Sequence, residues 1–97
     1  MARRAAERPL AFLQVDRPNV VIETVKRAED GRGWIVRLYE SQRRRGSFIL
    51  TCAFPLAEAW RCNLLEDDQQ RLEPDGRSLT LDIRPFQIIT LRLVPEK

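Results

Sequence analysis

The chain has 97 residues, enough for one domain with a modest core and too few for two. Hydrophobic residues make up 43% and charged residues 32%, which excludes intrinsic disorder and fits a soluble globular domain. Seventeen basic against fourteen acidic residues leave a net charge of +3, too small an excess to imply a nucleic-acid partner, and the lack of histidine removes the commonest general base and metal ligand.

Residues 1–9 are polar and rich in Ala and Arg, and read as a flexible tail or the remnant of a linker; residues 10–97 read as a single β-domain. Leu10 to Val15 is the first predicted strand, broken by Asp16-Arg17-Pro18-Asn19 because Pro18 has no amide to donate. Val20 to Lys26 is β-branched and strand-like. Asp30-Gly31 then supplies the positive φ of a hairpin turn. In Trp34 to Glu40, Trp34, Val36 and Leu38 share one face and Ile35, Arg37 and Tyr39 the other. A polar loop from Ser41 to Gly46 leads into a strand with Phe48, Leu50, Cys52 and Phe54 on one face, ended by Pro55.

Ala57 to Leu65 has two readings. A helix would align Leu56, Trp60 and Leu64; a strand would align Trp60, Cys62 and Leu64. The strand is favoured, since a lone short helix here would need an apolar partner of its own. Glu66 to Glu73 reads as a charged, Gln-rich connection, and Pro74-Asp75-Gly76 as a turn. Leu79, Leu81 and Ile83 then point inward. After Arg84-Pro85-Phe86, Ile89, Leu91 and Leu93 do the same, with Thr90 and Arg92 outward. About seven short strands with short turns predict an all-β fold, an antiparallel β-sandwich of immunoglobulin-like shape.

Groups able to carry chemistry are scarce. Arg43-Arg44-Arg45 is the one dense basic run, and without interleaved aromatics it reads as a solvated loop rather than a phosphate-backbone contact. Glu66-Asp67-Asp68 reads as a solvated acidic loop, since paired carboxylates of a glycosidase flank a substrate across ~5–10 Å. Ser41, Ser47 and Ser78 lack a base and a nucleophile elbow. Cys52 and Cys62 lie in apolar runs and read as buried thiols, although a bridge between neighbouring strands stays open. Trp34 and Trp60 read as core residues, and Tyr39 as the exposed aromatic on which a sugar ring could stack. No catalytic and no metal-ligating residue emerges. Met1-Ala2-Arg3-Arg4 lacks the apolar stretch of a secretion signal, and no apolar run approaches the ~20 residues of a membrane-spanning helix. The expected compartment is the cytoplasm, with no membrane or nucleic-acid partner.

Several segments carry a resemblance. Phe12-Leu13-Gln14-Val15-Asp16-Arg17-Pro18-Asn19-Val20-Val21-Ile22, Val25-Lys26-Arg27-Ala28-Glu29-Asp30-Gly31 and Trp34-Ile35-Val36-Arg37-Leu38-Tyr39-Glu40 come first. Cys62-Asn63-Leu64-Leu65-Glu66 and Pro85-Phe86-Gln87-Ile88-Ile89-Thr90-Leu91-Arg92-Leu93 follow. In this order they resemble the C-terminal region of glycoside hydrolase family 38 α-mannosidases. The likeness runs from residue 10 to residue 94.

The resemblance implies a non-catalytic C-terminal β-sandwich. The parent would hydrolyse terminal α-mannosides in carbohydrate metabolism, with an Asp nucleophile and zinc in a separate catalytic domain. No cofactor is then expected in this chain, and its partners would be the other domains of the parent. Met1 and the polar tail fit a boundary inside a larger protein, and Lys97, just past the last strand, fits its terminus. The alternative reading is a carbohydrate-binding module centred on Tyr39, with an anion-binding or nucleic-acid-binding β-domain behind it.

Overall fold

A computed structural model describes residues 13–96. The tail 1–9 and the predicted start of the first strand lie outside the described residues. Among the described residues eight strands form two antiparallel sheets. They are β1 Leu13–Val15, β2 Val20–Arg27, β3 Trp34–Glu40, β4 Gly46–Cys52, β5 Leu56–Cys62, β6 Asp68–Leu72, β7 Ser78–Ile83 and β8 Ile88–Pro95. The smaller sheet has the order β1-β4-β7, the larger β2-β3-β8-β5-β6.

Alternation sets the core. On β3 and β8, Val36 and Leu38 pair with Leu91 and Ile89, and all four are buried on the inner face. Phe48, Leu50 and Cys52 of β4 and Leu79, Leu81 and Ile83 of β7 meet them from the smaller sheet. The Phe48–Leu81 and Leu50–Leu79 pairs repeat every second residue, as a pleated strand requires. Ala57 to Leu65 is a strand in its first part, with Ala59 and Leu56 in the core.

Turns follow the predicted chemistry. Gly31 takes φ +78° in the β2–β3 hairpin and Gly76 takes φ +65° between β6 and β7. Gly33, at φ +81°, also meets a steric demand: a Cβ there would stand 2.5 Å from the Leu93 carbonyl oxygen. At the Arg84-Pro85-Phe86 corner the Gln87 amide donates to the Arg84 carbonyl (3.0 Å), and Phe86 adopts φ +58°.

The structure is the all-β antiparallel sandwich that alternation predicts, with one strand more. Glu66 to Glu73 is not wholly a connection: Asp68–Leu72 is β6, paired with β5 at the edge of the larger sheet. Its side chains are half-buried or exposed, so no apolar alternation marks it. Thr90 and Arg92 are buried, at 5% and 2% exposure, although their parity points away from the core. The segments 28–32 and 63–67 bond across that outer face and cover them. Trp34 and Trp60 are half-buried rather than core residues. Arg27 stacks 5.2 Å from the Trp34 ring centroid, and Arg32 and Arg71 lie 5.7 and 5.5 Å from that of Trp60.

Candidate functional site

Tyr39 lies at the outer-face end of β3, opposite Ile88 of β8. With Glu23, Glu40, Ser41, Phe86 and Ile88 it lines an open depression of about 450 Å³. Phe86 is 62% exposed and Ile88 60%, so two apolar side chains stand in solvent beside a half-buried phenol. Arg37 shares this face of β3, and its Nε is buried without a hydrogen-bond partner among the described residues.

Beneath the depression, Glu40 is fully buried. The Asn19 side-chain amide donates to its Oε2 (2.8 Å), as does the Gln42 backbone N–H (3.0 Å), and the Phe86 N–H donates to Oε1 (3.0 Å). Burial works to raise its pKa, but these bonds and one from the Arg44 N–H outweigh it and hold the carboxyl at about 2. Such a group stays ionised and accepts no proton near neutral pH. Glu40 joins the start of β2, the β3–β4 loop and the β7–β8 corner, and its occupied oxygens make it a structural carboxylate.

A second charged cluster lies on the outer face of the larger sheet, toward β5 and β6. Arg92 Nε donates to Asp68 Oδ1 (2.8 Å), and Nη1 to Asp30 Oδ1 (3.0 Å) and the Arg32 carbonyl (2.7 Å). Nη2 donates to the Glu66 carbonyl (2.8 Å). Arg32 bridges Asp68 (2.8 Å) and Glu58 (3.2 Å), and Lys26 pairs with Glu66 (2.8 Å). Burial lowers the Arg92 pKa, but its carboxylate partners raise it further, leaving it above the usual value. Burial likewise opposes the ionised form of Asp68, and the bonds from Arg32, Arg92 and Cys62 hold its pKa below the usual range.

The acidic run is therefore not a solvated loop. Asp68 and Glu66 belong to this network, and Asp67 is tied to Asn63. Arg92 between Leu91 and Leu93, and Glu40 at the end of an apolar alternation, were the sequence signals for both clusters.

The other residues singled out are not brought together. Ser47 Oγ donates to Asp82 Oδ1 (2.7 Å) and Ser41 Oγ to the Asn19 carbonyl (3.0 Å). Arg43, Arg44 and Arg45 are exposed. Cys52 and Cys62 are free and buried, Cys52 in the core and Cys62 on the outer face beside Asp68. Burial pushes both thiols up to about 11, with Asp68 adding to the effect at Cys62. Among the described residues no group of three or more His, Cys, Asp or Glu side chains could hold a metal ion. The donors among the described residues do not fit zinc.

The chain is a histidine-free, two-sheet antiparallel β-sandwich whose buried charges are held by partners of its own. The family model for the glycosyl hydrolases family 38 C-terminal beta sandwich domain matches residues 19–91, and the chain belongs to that family. It is similar to "Alpha-mannosidase G" of Dictyostelium discoideum, 31% identical over 86 residues. It is also similar to "Alpha-mannosidase 2C1" of Homo sapiens, 39% identical over 85 residues, and of Mus musculus, 38% identical over 85. These alignments cover 86%, 82% and 82% of this chain and 8% of each relative, so the chain spans a small part of their length.

Proposed function

We propose that this chain is the non-catalytic C-terminal β-domain of a larger α-mannosidase and serves to support the parent enzyme. One observation carries the reading: a match to a C-terminal sandwich family that spans only 8% of each α-mannosidase relative. The chemistry agrees, because Glu40 is committed to Asn19 and the Gln42 and Phe86 amides, and Asp68 to Arg92. On this reading the parent hydrolyses terminal α-mannosides in mannose metabolism, in the cytoplasm, and holds its zinc in a separate catalytic domain. The test is an assay of the isolated chain with zinc on an aryl α-mannoside. No turnover above background is expected, and turnover abolishes the reading.

A carbohydrate-binding module is the second reading. It is favoured by the exposed Phe86 beside Tyr39 and the unpartnered Nε of Arg37 on the same face. Aromatic faces flanked by donors suit sugar rings. Titration with mannose oligosaccharides, followed by NMR, should move the Tyr39 and Phe86 signals; no localised shift at millimolar ligand removes it.

A further inference from the structure

On the other side of the β7–β8 corner, a cavity of about 440 Å³ opens where β4 begins, β7 ends and β5 presents its core-facing side. Three arginines reach it from three segments. Arg45 comes from the loop before β4, Arg84 from the corner after β7, and Arg61 from β5. Arg61 is half-buried and stands in register with the core residue Leu91, so its backbone position is fixed by two neighbouring strands.

The ion pairs among the described residues use Lys26, Arg32, Arg71 and Arg92, and none uses these three arginines. Asp82 is the one acidic side chain in the lining, and its Oδ1 is taken by the Ser47 hydroxyl at 2.7 Å. Gln87 uses its Oε1 to accept from the Arg84 N–H (2.9 Å), which leaves its side-chain NH₂ as a donor at the cavity.

The cavity therefore offers donors and almost no free acceptor. Three guanidiniums with one carboxylate leave it two positive charges in excess. A single carboxylate ligand would neutralise half of that. A phosphomonoester, with ~1.5–2 negative charges near neutral pH and three acceptor oxygens, matches both the charge and the donor count. Guanidinium forks pair with phosphate through two parallel hydrogen bonds, and the size lies within the ~300–1,000 Å³ of small-molecule sites.

We propose that this cavity is a binding site for a phosphate dianion, with Arg61 as its anchor and Arg45 and Arg84 closing on the phosphate oxygens. The ligand is either inorganic phosphate or the phosphate of a phosphorylated sugar. The site goes beyond the accessory-domain reading and does not depend on it, because it rests on this cavity alone.

The experiment is an NMR titration of the chain at constant ionic strength with inorganic phosphate, mannose 6-phosphate, mannose and acetate. Saturable shifts confined to Ser47, Arg45, Arg61, Arg84 and Gln87 are expected with both phosphates and not with mannose. Equal affinity for the two phosphates assigns the site to phosphate alone; tighter binding of mannose 6-phosphate assigns it to a sugar phosphate. Arg84→Ala and Arg45→Ala, both at exposed positions, should each weaken binding about tenfold. Arg43→Ala, outside the cavity lining, should leave binding unchanged. Acetate binding as tightly as phosphate, an absence of saturation, or an equal loss in Arg43→Ala overturns the proposal.

Discussion

The Phe86 backbone N–H donates to Glu40 Oε1 at 3.0 Å across 46 positions of sequence. Through this bond a buried carboxylate at the end of β3 holds the β7–β8 corner, where Phe86 takes φ +58°. A non-glycine residue at positive φ is disfavoured unless its surroundings impose it, and Glu40 supplies the restraint.

Acid stability should report on Glu40. Its folded pKa of about 2 lies below the ordinary 4.5, so the stabilisation is full above pH 4.5 and is lost as pH falls from there toward 2. Asp30 and Asp68, both held below their ordinary value, act in the same direction. Glu40→Gln places an amide NH₂ among N–H donors; we expect a lower Tm at neutral pH and a flatter acid limb. Thermal melts across pH check it, and an unchanged acid limb would contradict it.

Arg92→Met should be among the most damaging substitutions. It removes one of the two arginines that hold Asp68 and leaves the Arg32 and Glu66 carbonyls without a donor, at a position only 2% exposed. Removing one partner of a buried charge pair costs about 3–5 kcal/mol. Arg71→Ala breaks an exposed pair with Glu73 at 3.7 Å and a contact with the Trp60 ring at 5.5 Å, and by the usual worth of such surface contacts it costs about 2 kcal/mol or less. Urea unfolding of the two variants gives the comparison.

Gly33→Ala and Gly31→Ala separate steric from conformational strain. Both glycines have φ near +80°, but a Cβ at Gly33 meets the Leu93 carbonyl oxygen whereas one at Gly31 meets nothing within 4 Å. Gly31→Ala should cost about 1 kcal/mol, the penalty of an alanine at positive φ. Gly33→Ala should cost more, because β8 must shift as well. Equal midpoints of denaturation would argue against the close approach.

The thiols should be inert in the folded chain. Cys52 is 3% exposed and Cys62 7%, and both are pushed up to about 11. Since the thiolate is the reactive form, labelling with a disulfide reagent at neutral pH should follow unfolding. Fast labelling of either cysteine before unfolding would contradict this.

The chain on its own should self-associate. Leu64 is 70% exposed and Leu65 81%, at the tip of the β5–β6 connection, and Phe86 and Ile88 form a second apolar patch. Apolar side chains grouped in solvent mark surfaces that other proteins cover. Sedimentation should show average mass rising with concentration, and Leu64→Ser with Leu65→Ser should reduce the rise. A constant mass would mean that these residues are not sticky.

Much was legible from local pattern. Period-two alternation marks Phe48, Leu50 and Cys52 and their partners Leu79, Leu81 and Ile83, because a pleated strand sends alternate side chains to one face. Asp30-Gly31 marks the β2–β3 hairpin turn and Asp75-Gly76 the turn that carries the chain from one sheet to the other, because glycine adopts positive φ without a steric penalty. The order of the matched segments pointed to the family that the comparisons support.

Only the tertiary structure decided where the charged residues go. Strand β6 is invisible to alternation, since at a sheet edge its backbone pairs with β5 while its side chains stay half-buried or exposed. Arg92 and Thr90 have outward parity and would face water if the outer surface were open. They are buried because segments 28–32 and 63–67, remote from β8 in sequence, bond across that face. Arg45, Arg61 and Arg84 share no local motif, and they meet because β4, β5 and the β7–β8 corner converge at one end of the sandwich. Pattern along a chain records which face a side chain takes; which other segment arrives to cover or answer it depends on long-range pairing that no window of sequence contains.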